Sequence, residues 1–71
     1  MRLAYDPDTD SLYIHLTEQP ATNSDEVADG VVLDFDASGA LVGIDVQHAS
    51  HKADIHRLFV SRLPLQELGA A

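Results

Sequence analysis

The chain has no cysteine, only four basic residues, and no apolar run near the length of a membrane span. Without cysteine there are no disulfides, no thiolate metal ligands and no cysteine nucleophile. That absence suits the cytoplasm, which is the expected compartment. A membrane helix needs a run of about 18 apolar residues, so no membrane partner is expected. The opening stretch MRLAYDPDTD turns acidic at once and offers no apolar signal core. Twelve acidic residues against four basic give a formal charge of −8. Such a surface repels phosphate backbones, so no nucleic-acid partner is expected. It suits a basic protein partner, a cation, or plain solubility. Seventy-one residues make a single domain, residues 1–71. A chain this short buries only about 60% of its unfolded surface. With no disulfide to staple so thin a core, a homo-oligomer, most simply a dimer, is the expectation.

What is present is mainly strand pattern. Leu3 and Tyr5 alternate against Arg2 and Ala4, and Leu12, Ile14 and Leu16 alternate against Tyr13, His15 and Thr17. The run Asp6-Pro7-Asp8-Thr9-Asp10 between them is rich in turn formers, so the two strands are expected to pair with Tyr5 facing Leu12 and Leu3 facing Ile14. Residues 18–26, EQPATNSDE, read as a loop, with Val27 starting a strand that Asp29-Gly30 interrupts. The stretch GVVLDFDASGALVGIDVQ reads as a β-hairpin from Gly30 to Gln47, turning at Asp36-Ala37-Ser38-Gly39. A four-residue loop pairs Leu33 with Val42 and Val31 with Ile44. A three-residue loop pairs Leu33 with Gly43 and turns Val42 and Ile44 outward. A one-residue slip forfeits a whole apolar face, so the four-residue loop is expected. After Gln47 the period changes. Ser50 stands as an N-cap, and Ala53, Ile55, Leu58 and Phe59 fall at helical spacings, predicting a helix over 51–61. Residues 64–71 read as a short helical turn or a frayed tail. The expected fold is therefore α+β: a four-stranded antiparallel sheet of two consecutive hairpins, a β-rich body over 2–47, packed by one C-terminal α-helix.

Chemistry-bearing residues fall into three groups. Asp6, Asp8 and Asp10 resemble the opening of a calcium loop, but Ser11 and Thr17 stand where its glycine and glutamate belong. Turn capping accounts for Asp6, Asp10 and Asp36, and backbone freedom for Gly30 and Gly39. His48, His51 and Asp54 offer imidazole and carboxylate ligands of the kind that divalent metals take, without a recognised spacing. Tyr13, His15, Val32, Asp34, Leu41 and Asp45 are expected on the sheet face away from the core, where a part-apolar surface rimmed by polar groups suits a partner. The same face brings a histidine near carboxylates, the ingredients of a general base. No phosphate loop or nucleophile elbow is present, so catalytic residues are unassigned and no cofactor is expected.

The ordered pattern Tyr5-Asp6-Pro7-x-x-Asp10-x-Leu12-Tyr13-Ile14, Asp29-Gly30-Val31-Val32-Leu33-Asp34-Phe35-Asp36, Gly39-x-Leu41-Val42-Gly43-Ile44-Asp45-Val46 and Ala49-Ser50 resembles a prokaryotic family, domain of unknown function 2283. The resemblance covers about residues 2–51; the stretch from Lys52 to Ala71 lies outside it. It implies a small single domain with a β-rich body and a helical tail, and members encoded beside small toxin-like proteins. It carries no catalytic residues. The expected function is thus an acidic protein-binding module, antitoxin-like towards a basic partner. The alternative is a metal-dependent or hydrolytic enzyme using His48, His51 and Asp54.

Overall fold

The computed structural model describes residues 1–70 and forms one five-stranded antiparallel sheet, with no α-helix among them. The strands are β1 (Arg2–Asp6), β2 (Ser11–His15), β3 (Asn23–Ala28), β4 (Val31–Phe35) and β5 (Leu41–Val46). They lie in the order β1-β2-β5-β4-β3, and a 3-10 turn over Ala49–His51 follows.

The first hairpin pairs Tyr5 with Leu12 and Leu3 with Ile14. Its turn is closed by the Asp6 carboxylate, which accepts from the Asp8 backbone N–H at 2.9 Å. Asp10 sits at φ 53°, a left-handed position that aspartate tolerates. The second hairpin, β4–β5, exists but in another register. Leu33 faces Ile44 and Val31 faces Val46, not Val42 and Ile44. Phe35 faces Leu41 and Asp34 faces Gly43, so Val42 is an extra residue in a bulge. The loop is five residues long, Asp36 to Ala40, because the Asp36 carboxylate gathers both the Ser38 and the Ala40 N–H groups at 2.9 and 3.0 Å. The shift is two residues for Val31 to Asp34, which preserves their face, and one for Phe35, which brings Leu41 by register to the apolar face.

Two further expectations are corrected. The sheet has five strands, not four, because Asn23–Ala28 is β3 rather than loop. Its residues NSDEVA are exposed throughout, so no apolar alternation announces it. It is an edge strand held by its ladder to β4. The helix predicted over 51–61 is absent, and so is any helical turn over 64–70; Ala71 lies outside the described residues. Ser50 is not an N-cap: its hydroxyl donates to the Asp10 carboxylate at 2.6 Å. An uncapped helix of some 11 residues is marginal unless its apolar face packs, and Leu58 and Phe59 remain 71% and 80% exposed.

The hairpins join where β2 pairs with β5, Leu12 against Val46 and Ile14 against Ile44. By register, one sheet face carries Leu3, Tyr5, Leu12, Ile14, Val31, Leu33, Phe35, Ile44 and Val46. The other carries Tyr13, His15, Gly43, Asp45, Val32 and Asp34, with Ser24 and Glu26 from β3. We call these the apolar face and the acidic face. Every substantial contact between elements is between sheet neighbours. Among the described residues only Val42 and Ala49 are buried hydrophobics.

Candidate functional site

The acidic face has a built centre. His15 on β2 and Asp34 on β4 flank Gly43 on β5, and Tyr13 stands in the next row, opposite Asp45. The Tyr13 hydroxyl reaches over Gly43 and donates to Asp34 Oδ2 at 2.5 Å. Ser24 on β3 donates its hydroxyl to the other oxygen, Oδ1, at 2.6 Å. Four adjacent strands are thereby tied across one face. Gly43 makes this possible by having no side chain: a Cβ there would stand 2.1 Å from the Tyr13 hydroxyl oxygen. Hydrogen bonding to Asp34, then desolvation and the charges of Asp34 and Asp45, push the Tyr13 phenol up to about 12. Tyr13 is therefore a neutral donor at physiological pH, not a nucleophile or base. His15 packs beside it, ring centroids 4.4 Å apart at 56°.

Of the six residues expected to share this face, Tyr13, Asp45 and Val32 form one cross-strand row, and His15 and Asp34 flank Gly43 in the next. All five are half-buried. Leu41 does not share it: the bulge sets Leu41 opposite Phe35, by register on the apolar face, where it is 36% exposed. Gly43 and Ser24 were not singled out from the sequence. A glycine inside a strand pattern, between Val42 and Ile44, is a signal of close approach; Ser24 gave none, since it lay in a stretch read as loop.

A second cluster pins the end of the chain's body to the first hairpin. The Asp10 carboxylate accepts from the Ser50 hydroxyl at 2.6 Å, the Tyr5 hydroxyl at 2.8 Å and the Ser50 N–H at 3.1 Å. The Asp10 carbonyl also accepts from Ala49 N–H at 2.8 Å. The Ser50 hydroxyl, followed by that of Tyr5, holds the Asp10 carboxyl below its usual range. Ser38 does the same for Asp36. Gly30 and Gly39 have φ of 73° and 86°, positions that favour glycine. His48 precedes the 3-10 turn in a left-handed conformation, His51 ends the turn, and Asp54 lies beyond it. No group of three or more His, Cys, Asp or Glu side chains among the described residues is placed to hold a metal ion.

The family model described as a protein of unknown function, DUF2283, matches residues 2–50. The chain belongs to this family. No curated protein and no solved structure is significantly similar to it. The matched span of the DUF2283 domain takes in all five strands and ends on Ser50, the residue that closes on Asp10. Residues 51–71 lie outside the match. No helix among the described residues is long and apolar enough to cross a membrane.

Proposed function

We propose that this protein is a small acidic protein-binding module of the cytoplasm that presents its acidic sheet face to a basic protein, in the manner of an antitoxin. The observation that supports this reading most is the sorting of charge. Asp6, Glu26, Asp34 and Asp45 fall by register on one face, around the half-buried Tyr13 and Val32. Aromatic and aliphatic surface surrounded by carboxylates suits a partner with apolar groups set among lysines and arginines. The fixed Tyr13–Asp34–Ser24 chain presents that surface already ordered, which lowers the entropic cost of docking.

The test is to mix the protein with the product of the adjacent gene and measure complex formation by size exclusion and calorimetry. A complex is expected whose affinity falls as salt rises. Asp45→Asn should weaken it about two- to five-fold, the scale of one exposed ion pair. Absence of a complex, or one indifferent to both salt and Asp45→Asn, would overturn the reading.

A further inference from the structure

The apolar face is unfinished in a single chain. Leu12, Ile14, Val31, Leu33, Ile44 and Val46 are only half-buried, and Leu3 and Tyr5 are each 44% exposed. Residues 53–63 run beside this face as a strap without regular secondary structure, turning at Ile55 and His56. Between strap and sheet lies a groove of about 970 Å³, floored by Leu3, Tyr5, Leu12 and Ile14 and walled by Ile55 and Phe59 among others.

Exposed area and compactness together point to what fills it. A folded monomer of 7.7 kDa should expose about 4,300 Å². This chain exposes 5684 Å². The excess, roughly 1,400 Å², is more than the ~800 Å² that each partner contributes to a standard interface. The radius of gyration agrees: 13.0 Å here, against about 11 Å for a compact domain of this length. The charge of the strap is opposite to that of the body. Lys52, Arg57 and Arg62 are three of the four basic residues, set against Asp54 alone, while the sheet body keeps Arg2 as its one cation. The apolar face itself carries by register only one carboxylate, Asp25 on the edge strand, and the charges beside it are those of the strap, Asp54, Arg57 and Arg62.

We infer that a second copy of this chain covers the apolar face, the two sheets packing face to face with the 53–63 strap of each copy inside the interface. The inference does not depend on the acidic face having a partner. Each sheet then gains the second layer that a one-layer sheet lacks.

Sedimentation equilibrium of the full chain over a wide concentration range tests this, with thermal unfolding measured in parallel. The expected mass is twice 7.7 kDa, with a Tm that rises with concentration. Leu58→Ser and Phe59→Ser decide where the interface lies, because both side chains are exposed in the single chain and a monomer would not miss them. Each should raise the dissociation constant about 100-fold or more, because a symmetric pair loses that buried apolar side chain twice, with the strand signature in circular dichroism retained. Asp45→Asn should leave the mass unchanged. A monomer with a concentration-independent Tm would overturn the inference. So would a dimer whose dissociation neither strap substitution alters.

Discussion

Asp10 and Gly43 show how much a single residue can organise here. Asp10 joins the first hairpin to the end of the matched domain by accepting from Ser50 and Tyr5. Its carboxyl lies below the ordinary value in the fold, so its contribution is present above the unfolded carboxylate range and is lost as pH falls through its folded value. Asp36, lowered in the same direction, acts with the same sign. Urea midpoints measured at neutral and acidic pH should therefore converge in Asp10→Asn, which is expected to be less stable than the parent at neutral pH and less sensitive to acid. Tyr13 has the opposite sign. Its phenol is raised to about 12, so the stability it adds holds below the unfolded tyrosine range and fades as pH climbs towards the folded value. Gly43→Ala should displace the Tyr13 ring from Asp34, at a cost of about 1–3 kcal/mol from overpacking. Ultraviolet titration of the tyrosines should then show one phenol moving back down towards its ordinary value. An unchanged titration would mean that Tyr13 does not need the space over Gly43.

At the level of elements, the sequence was legible wherever the pattern was local. Leu3, Tyr5, Leu12 and Ile14 alternate cleanly, and their pairing follows from the alternation and a short turn. Asp36 and Gly39 marked the second turn, but its loop length depended on how many backbone N–H groups one carboxylate collects, which no propensity encodes. β3 was illegible because an exposed edge strand needs no apolar face; Asn23, Ser24, Asp25 and Glu26 are placed by ladder partners six to twelve residues further on. The helix failed for a long-range reason. Ser50 is a good cap in isolation, yet its hydroxyl is engaged by Asp10, a residue 40 positions away. The irregular backbone of the strap makes a specific prediction. Val60→Pro should cost less than about 1 kcal/mol, against about 3 kcal/mol or more for proline inside a helix; chemical denaturation at fixed concentration distinguishes the two. At the candidate site, Tyr13, Asp34 and Asp45 could be placed on one face from alternation alone. The Tyr13–Asp34 bond could not, because it spans three strands whose order, β2-β5-β4, is set by non-local pairing.

The whole molecule is a sheet of two unlike sides. One gathers Leu, Ile and Val from four strands; the other gathers Asp34, Asp45, Glu26 and the tyrosine bonded to Asp34. The two proposals divide along that line, one side for a copy of itself and the other for a basic partner, so failure of either leaves the other standing. The remaining boundaries of the sheet are its two outer strands. β3 lines one margin with Asp25 and Glu26, and β1 is only five residues long, with Arg2 bridged to Glu18 at 3.3 Å. Open strand margins are where chains ordinarily stack without limit into fibres, and short or charged strands discourage it. A chain that associates through a face but is blocked along its margins forms a closed pair rather than a growing ribbon. The polar character that hid β3 from sequence reading is thus also what would stop assembly at two.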